Sequence, residues 1–369
     1  MKCLNLMAPI NSLGYGVAGL NILKSLSQKY NISLFTIGPA SCSTQEEQEL
    51  VSNAIKNSTL FAQEFADAPC LKVWHEFALA ERIGKGPCFG FPFFELDQLD
   101  QRRINHLSSV DGIIVASHWA KDIIKAHVPI PPLVGVAPLG VDTTIFTHGP
   151  HTTTDKCVFL NCGKWEKRKG HDLLLEMFRS AFPDEQDVEL WMMSHNTFLA
   201  PGTPFAKQGK EWERYYQSDL RVKLIGRVQT HKEVAAIMSQ ANCGVFPSRA
   251  EGWNLELLEM LSMGKPVIAT NYSAHTEFCT KENSYLIDIE NTELAKDDIF
   301  FDGSGGEWAS LDGVPFDQGV EYLRSFYESW KKEPQQVNME GIETAKKFSW
   351  TNTTNRIEEI IDGNRGQEN

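Results

Sequence analysis

Residues 251–272 constrain the fold of this chain most. They read EGWNLELLEMLSMGKPVIATNY, which predicts a loop, a helix beginning near Leu255, and a buried strand after Gly-Lys-Pro. Asn254 is a favourable N-cap, and the free backbone N–H groups at the positive end of such a helix form a ready anion site. Glu259 lies just over one turn into the helix, where its carboxylate can accept two hydrogen bonds from a vicinal diol such as a ribose. A phosphate site beside a diol site indicates nucleotide binding.

The size and composition of the chain fit a globular protein with two domains. It has 369 residues, of which 42% are hydrophobic and 22% are charged, and this length suits two domains of ordinary size. The net charge of -13 argues against a protein whose main partner is a nucleic acid. The eight cysteines include no C-x-x-C pair, so we expect reduced, buried thiols and a cytoplasmic protein.

The apolar segments do not predict a membrane-spanning protein. The first ten residues, MKCLNLMAPI, are too short for a signal peptide and favour an opening strand. No apolar run approaches the length that crosses a bilayer. The sequence also lacks a lysine-rich amphipathic helix, which leaves a peripheral membrane contact open but unsupported.

Strand-like apolar runs alternate with helix-like segments along the chain. This alternation is typical of parallel α/β sheets, and two doubly wound halves fit it better than one long sheet. The glycine, proline and threonine content of residues 138–154 predicts the linker between the halves. Residues 290–330 are expected to be rich in loops before a helix near Val320–Lys331. The last helix should be capped by Thr351 or Asn352.

A basic loop lies in the second half of the chain. Residues 158–178, VFLNCGKWEKRKGHDLLLEMF, predict a strand, a loop and a helix. Four basic side chains, at Lys164, Lys167, Arg168 and Lys169, create a strong positive potential in an otherwise acidic chain. A diphosphate would neutralise this potential. A solvated charged turn is the alternative, and we expect Lys167 and Arg168 to behave in that way.

These two segments resemble the retaining glycosyltransferases of family 4. Glu251 and Glu259 match the Glu-x7-Glu signature of that family, and residues 158–178 are similar to its G-R-x-x-x-x-K-G element. The resemblance implies the GT-B fold, an α/β architecture of two doubly wound, Rossmann-like domains that face a central cleft. The implied parts are an acceptor-side domain at 1–147, a nucleotide-sugar-binding domain at 148–351, and a terminal helix at about 352–369 that packs back on the first domain.

In this resemblance the basic loop holds the donor diphosphate. Lys169 matches the family's lysine and stabilises the departing diphosphate by its charge. Lys164 stands where arginine is usual, so it acts as a point charge without the bidentate geometry of a guanidinium. Glu251 orients the sugar and Glu259 anchors the ribose. The remaining donor contacts are implied for backbone groups, at Trp253, Asn254 and Leu255 beside the sugar and at Gly226, Arg227 and Val228 beside the base.

Residues of the first half gain roles from the same resemblance. Gly14 and Gly16 lie between the first strand and the first helix, where glycines let the backbone approach the donor phosphates and the acceptor; a simple turn is the alternative. His75 ends a predicted strand, where open α/β sheets bind ligands. It matches the family's histidine that touches the donor sugar, although a structural histidine is the alternative. Glu95 is a candidate for the acceptor side, and a carboxylate at a helix start explains it equally well.

The chain departs from the family's pattern at several positions. Asn242 replaces the usual aspartate, and residues 272–278 replace a glycine-rich turn while retaining Glu277. Glu256 stands where proline is common. A carboxylate in the first helical turn interacts favourably with the helix dipole but repels a bound diphosphate, so we expect Glu256 to point away from the ligand. These departures leave the identity of the donor open.

The resemblance implies a retaining hexosyltransferase. It would move a sugar from a nucleoside diphosphate sugar, with UDP favoured, to an unidentified glycan, small-molecule, lipid or protein acceptor. The sequence contains no D-x-D triplet and no cluster with metal-ligand spacing, so we expect the enzyme to need no metal and no cofactor. Two alternatives remain open. A GT-B nucleotide-sugar epimerase would act without an acceptor, and a non-catalytic partner subunit would bind no nucleotide.

Overall fold

The computed structural model describes residues 1–129, 133–149 and 155–363. The chain forms two compact units, which comprise Met1–Gly140 with Phe348–Asn369, and Val141–Lys347. The sequence prediction placed these boundaries at 147/148 and 351/352. Residues 150–154 of the predicted linker and 364–369 of the predicted terminal segment lie outside the described residues.

The first unit is built on a parallel sheet with helices between its strands. Its elements are β1 (Lys2–Ala8), α1 (Gly14–Leu26), β2 (Tyr30–Thr36), α2 (Gln45–Asn57), β3 (Cys70–Lys72), β4 (Cys88–Gly90), α3 (Gln101–Leu107), β5 (Gly112–Val115), α4 (His118–His127) and β6 (Leu133–Val136). The strands pair in the order β2-β1-β3-β4-β5-β6, and all of these pairs are parallel. Most strand interiors are buried, which is why they appear in the sequence as apolar runs rather than as alternating patterns.

The second unit repeats this architecture. Its elements are β7 (Cys157–Gly163), α5 (His171–Ala181), β8 (Val188–Ser194), α6 (Ala206–Gln217), β9 (Val222–Leu224), α7 (His231–Gln240), β10 (Cys243–Phe246), α8 (Leu255–Ser262), β11 (Val267–Thr270), β12 (Tyr285–Ile287), β13 (Thr292–Lys296), β14 (Asp302–Ala309), α9 (Val314–Lys332) and α10 (Met339–Lys347). The main sheet has the order β12-β11-β10-β7-β8-β9, with parallel pairs throughout. The prediction of two doubly wound α/β domains is confirmed.

An antiparallel hairpin stands beside this sheet. Strands β13 and β14 pair with each other, so the prediction that residues 290–330 are rich in loops is wrong for 292–309. The helix predicted near 320–331 is confirmed as α9, which begins earlier, at Val314. Trp308 is buried on this hairpin and its indole N–H donates to Glu293 Oε1 at 3.0 Å. Glycines in the segment 302–309 conceal the alternation of exposed and buried side chains that would have predicted a strand.

The terminal helix α11 (Trp350–Ile361) belongs to the first unit. Thr354 shares a 2.6 Å hydrogen bond with Ser25 of α1, and the Thr353 hydroxyl donates to the Pro138 carbonyl at 2.7 Å. The cap of the helix is Ser349, whose Oγ accepts from the backbone N–H of Asn352 at 3.1 Å. The prediction of Thr351 or Asn352 as the cap is wrong because both residues already lie in the first helical turn.

The strand order of each sheet marks where a ligand is expected. In the second unit the chain moves from β7 outward to β9 and then returns to β10 on the other side of β7. In the first unit β1 lies between β2 and β3 in the same way. Ligands of open α/β sheets bind in the crevice at the carboxyl ends of such strands. The loops after β7 and β10, and those after β1 and β3, are therefore the positions to examine.

Candidate active site

Helix α8 begins with a backbone held in an unusual conformation. Asn254 has φ 85° and ψ 80°, and its Oδ1 accepts from the backbone N–H of Leu257 at 3.2 Å. Its amide nitrogen donates to His275 Nε2 at 2.9 Å. The His275 ring therefore carries its proton on Nδ1, which donates to the Thr270 carbonyl at 3.1 Å. Burial lowers the pKa of His275 to about 4, so the ring is neutral and keeps this arrangement near pH 7. The predicted helix start and N-cap are confirmed.

The amino terminus of α8 is open to an anion. Among the residues that the structure describes, the backbone N–H groups of Asn254 and Leu255 donate to no acceptor. Such groups lie at the positive end of the helix dipole. A phosphate oxygen is a suitable acceptor for them.

A buried ion-pair cluster connects the loops after β7 and β10. Lys169 Nζ lies 2.8 Å from Glu251 Oε1, and Arg168 Nη1 lies 2.7 Å from Glu251 Oε2. The Ser248 hydroxyl donates to Glu251 Oε1 at 2.9 Å, and the Glu251 N–H donates to Ser273 Oγ at 2.8 Å. Two of the residues predicted for the site, Lys169 and Glu251, are thus in direct contact.

The burial of Arg168 corrects the sequence prediction. Arg168 is only 4% exposed, and its guanidinium joins Glu251 to Glu166, whose Oε2 lies 2.7 Å from Arg168 Nη2. The expectation of a solvated side chain is wrong because a buried guanidinium requires carboxylate partners, and two are present. Glu166 also pairs with Lys164 at 2.8 Å. The fourth basic residue, Lys167, is half-buried.

The cluster keeps its members charged. Burial would raise the pKa of Glu251, but Arg168 and Lys169 outweigh it and lower that pKa. Burial would lower the pKa of Lys169, but Glu251 and then Glu256 outweigh it and raise that pKa. Glu251 is therefore ionised and Lys169 is protonated at neutral pH. A charged ammonium fixed at the carboxyl end of β7 can stabilise an anion without reorganisation.

Glu259 contrasts with Glu251 although both side chains are buried. Glu259 is 8% exposed, and its carboxyl group has no hydrogen-bond or ion-pair partner among the described residues. Burial, and secondarily Glu256, raises the pKa of Glu259 well above the usual range. A buried carboxyl group without partners is costly to maintain. A ligand that donates two hydroxyl groups would satisfy it.

Glu256 faces the same region as Lys169 and Glu259. After Glu251, Glu256 helps to raise the pKa of Lys169, and after burial it helps to raise the pKa of Glu259. Burial raises the pKa of the Cys162 thiol on β7, and Glu256 and Glu259 add to this effect. The expectation that Glu256 points away from a bound ligand stays a prediction.

Arg249 supports the site, and the sequence did not reveal it. Its guanidinium binds both carboxylate oxygens of Asp172, at 2.7 and 2.9 Å, and its Nε donates to Glu293 at 2.7 Å. It also donates to the carbonyl of Lys167 at 2.6 Å. Arg249 thus connects the basic loop, α5 and the hairpin. An arginine directly between an apolar strand, β10, and Glu251 was the available signal.

The residues predicted to hold the base lie on a neighbouring strand. Gly226, Arg227 and Val228 follow β9, which is separated from β7 by β8 alone. No described atom lies within 4 Å of the position that a Cβ on Gly226 would take, so its backbone can be approached. Asn242 has a structural contact, since its Oδ1 accepts from the Val158 N–H at 2.8 Å.

In the first unit, the structure gathers aromatic rings at the carboxyl ends of β1 and β3. Tyr15 lies between Gly14 and Gly16, and its ring centroid is 4.7 Å from that of His75 and 5.3 Å from that of Trp74. All three aromatic side chains are partly exposed. The prediction that Gly14 and Gly16 lie in a loop before the first helix is wrong, because both residues are in the first turn of α1. This turn and His75 are brought together by Tyr15, a contact that the sequence did not reveal.

A backbone hydrogen-bond pair fixes Tyr15. Its hydroxyl donates to the Phe93 carbonyl at 2.8 Å and accepts from the Phe93 N–H at 2.7 Å. Burial, followed by Glu76 and then by Glu95, raises the pKa of Tyr15. Glu95 itself is half-buried.

The residues that the structure describes contain neither a metal-ligand cluster nor a membrane-spanning helix. No group of three or more His, Cys, Asp or Glu side chains there could hold a metal ion. In the same residues, no helix is both long and apolar enough to span a bilayer.

Comparison with solved structures establishes the fold. Sucrose-phosphate synthase from Thermosynechococcus elongatus superimposes with a TM-score of 0.68 at 15% identity, covering 98% of this chain and 99% of that chain. The Anabaena protein HepE in complex with UDP-glucose superimposes with a TM-score of 0.65 at 15% identity, covering 98% and 100%. The chain has the GT-B fold.

Sequence comparisons find similarity to glycosyltransferases over part of the chain. Residues 156–299 match the family model described as Glycosyl transferases group 1. MMP alpha-(1->4)-mannosyltransferase of Mycolicibacterium hassiacum is 27% identical over 187 residues, which are 51% of this chain and 42% of that protein. A human phosphatidylinositol N-acetylglucosaminyltransferase protein is 26% identical over 166 residues, 44% of this chain and 32% of that protein. The chain thus spans less than half the length of these relatives. The match to the group 1 model lies within the second unit of this chain.

Proposed function

We propose that this protein is a glycosyltransferase that moves a hexosyl group from a nucleoside diphosphate sugar to an acceptor. The observation that carries the proposal is the contrast at the carboxyl end of the second unit's sheet. There, a buried ammonium and free helix N–H groups suit a diphosphate, and an unpartnered buried carboxyl group suits a diol. A nucleoside diphosphate contains both chemical groups in one molecule.

The proposed roles follow from charge and position. Lys169, with Lys164 beside it, holds the diphosphate and stabilises the negative charge that grows on it as the glycosidic bond breaks. Glu259 accepts hydrogen bonds from the ribose hydroxyls. Glu251 and the backbone of residues 253–255 orient the transferred sugar, and the backbone of residues 226–228 contacts the base. Gly14, Gly16 and His75 serve the acceptor and the donor sugar from the first unit.

Several finer parts of the proposal rest on the resemblance to family 4. We infer transfer with retention of anomeric configuration, no requirement for a metal or another cofactor, and a cytoplasmic protein. UDP is favoured because HepE, a structural neighbour, is described in complex with UDP-glucose. The shared cleft between the units also stays a prediction. The mannosyl- and N-acetylglucosaminyltransferase names of the relatives favour transfer over epimerisation.

The test begins with donor binding and ends with the product. Nucleotide sugars with uridine, guanosine and adenosine bases are screened for thermal stabilisation, since a ligand that binds only the folded state raises the melting temperature. The stabilising donor is then incubated with EDTA and candidate acceptors, and nucleoside diphosphate release is measured. NMR of the anomeric proton reports the configuration of the product. Epimer formation without an acceptor would show that the protein is a nucleotide-sugar epimerase and not a transferase. If no nucleotide sugar binds, the non-catalytic partner subunit would be favoured.

A further inference from the structure

Two exposed phenylalanine rings lie beside the basic loop. Phe198 is 49% exposed and Phe300 is 40% exposed, and their ring centroids are 5.5 Å apart in an edge-to-face arrangement. The Lys164 ammonium lies 5.7 Å from the centroid of the Phe300 ring. They are the only two exposed phenylalanines among the residues that the structure describes. Neither ring fills a core, so core packing does not explain why this pair of rings lies near Lys164. Lys164 is one of the cations proposed to hold the diphosphate.

The structure holds Phe198 in a fixed position. Its backbone N–H donates to Asn196 Oδ1 at 3.0 Å, and the Asn196 amide donates to the Trp165 carbonyl at 3.0 Å. Asn196 is buried. The loop after β8 is thereby tied to the basic loop after β7.

Hydrogen bonds at the tip of the hairpin also hold Phe300 in a fixed position. One carboxylate oxygen of Asp297 accepts from the backbone N–H groups of Ile299, Phe300 and Phe301, at 2.9, 2.8 and 2.9 Å. The Phe301 ring packs 5.3 Å from buried Trp308. The exposure of Phe300 is thus a feature of an ordered hairpin tip.

The order of the strands indicates what these rings contact. Phe198 follows β8, which lies between β7 with its basic loop and β9 with the open backbone at Gly226. Neighbouring strands are about 4.8 Å apart, so β7 and β9 are separated by roughly 10 Å. A nucleoside diphosphate whose phosphates lie at β7 and whose base lies near β9 must pass the carboxyl end of β8.

We propose that Phe198 and Phe300 form an aromatic platform for the nucleobase of the donor, in which the base stacks on one ring and contacts the edge of the other. This proposal rests on the proposed function, because it requires a nucleoside diphosphate at the basic loop. Bases stack on aromatic side chains through their π-faces, which makes such a platform tolerant of base identity. Hydrogen bonds to the backbone at 226–228 then supply the selectivity.

The test separates the base from the diphosphate. Calorimetry on the full chain measures the affinity of UDP, GDP and ADP, and competition against the tightest of them measures the affinity of inorganic pyrophosphate. The variants are Phe198→Ala, Phe300→Ala and Phe300→Trp, with Leu294→Ala as the control because Leu294 is a 62% exposed side chain on the same hairpin. Circular dichroism establishes that each variant is folded.

The expected result is a selective loss. Each alanine variant should bind the nucleotide roughly five- to a hundredfold more weakly and bind pyrophosphate as the wild type does. Phe300→Trp should retain nucleotide affinity because indole also stacks on a base, and Leu294→Ala should change neither ligand. Unchanged nucleotide affinity in both alanine variants, or an equal loss for pyrophosphate, would overturn the platform while leaving the proposed function intact. A wild type that binds none of the nucleotides would refute both.

Discussion

The two units present different chemistry at the carboxyl ends of their central strands. In the second unit, buried charges meet there in the cluster of Lys169, Arg168 and Glu251. In the first unit, the partly exposed rings of Tyr15 and His75 meet instead. Buried charges must be satisfied by each other or by a ligand of complementary charge, whereas aromatic surface accepts many ring-shaped or apolar groups. The proposed anionic ligand is therefore assigned to the second unit, and the first unit offers aromatic surface instead.

The largest expected effect concerns the contribution of the charged cluster to the stability of the second unit. Glu251→Gln leaves two buried cations with one carboxylate fewer, and it should lower the free energy of unfolding by about 3 to 5 kcal/mol. Urea unfolding followed by circular dichroism measures the change. Glu213→Gln, an exposed substitution in the same unit, is the control. A loss below about 1 kcal/mol, the range of surface ion pairs, would show that the cluster contributes to function alone.

The next effect concerns turnover. Lys169→Ala removes the charge that stabilises the departing diphosphate, and it should lower kcat roughly a hundredfold, about 2.7 kcal/mol in the activation barrier. Lys167→Ala is the matched control, because Lys167 is the half-buried neighbour outside the ion-pair cluster. Steady-state kinetics at saturating donor makes the measurement on variants shown to be folded. A wild-type kcat in Lys169→Ala would contradict the assignment of the donor diphosphate to the basic loop.

Helix α8 and the charged cluster show how much of the candidate site could be predicted from the sequence. The Glu-x7-Glu spacing lies within one loop and one helix, so local geometry predicted Asn254 as the cap and Glu259 one turn on. Arg168 and Glu251 are 83 positions apart, and only the pairing of β7 with β10 brings them together. The Phe198–Phe300 contact escaped prediction for the same reason, because separate loops meet only in the folded chain. The hairpin at 292–309 is local and escaped prediction because its glycines conceal the alternation of exposed and buried side chains.

Glu259 should show opposite effects on binding and on stability. Glu259→Gln replaces the carboxyl group that accepts hydrogen bonds from the ribose hydroxyls, and it should cost about 1 to 3 kcal/mol of donor affinity. The value of kcat should change little, because ribose contacts stay constant during the reaction. The ligand-free variant should be more stable than the wild type by roughly 0.5 to 2 kcal/mol at neutral pH. Calorimetry and urea unfolding measure the two effects. A variant that is both weaker in binding and less stable would indicate a structural partner for Glu259.

The pH dependence of that stability difference has a definite sign. The pKa of Glu259 is raised in the folded state, so between the unfolded value of about 4.3 and the folded value, the folded chain binds more protons than the unfolded chain. Wild-type stability therefore falls as the pH rises through this window. The advantage of Glu259→Gln should grow with pH from about 4.3 upward and vanish below it. An advantage independent of pH would contradict the assignment to ionisation.

The smallest effect belongs to the first unit. Tyr15→Phe removes the hydroxyl that bonds both backbone groups of Phe93, and it should cost about 1 to 2 kcal/mol of stability. Tyr322→Phe is the control, because its hydroxyl has no hydrogen-bond partner among the described residues. Urea unfolding compares the two variants. If Tyr15→Phe lost as much stability as Glu251→Gln, the proposed difference in stabilisation between the two sheet ends would be contradicted.

Calorimetric titration with UDP, GDP and ADP in the presence of EDTA tests the central claim most directly. The wild type should bind at least one of these nucleotides with one site per chain. The double variant Lys169→Ala, Glu259→Ala should lose most of that affinity, because it removes the diphosphate contact and the ribose contact together. Undiminished binding by the double variant, or no binding by the folded wild type, would contradict a nucleoside diphosphate site at the carboxyl end of the second unit's sheet.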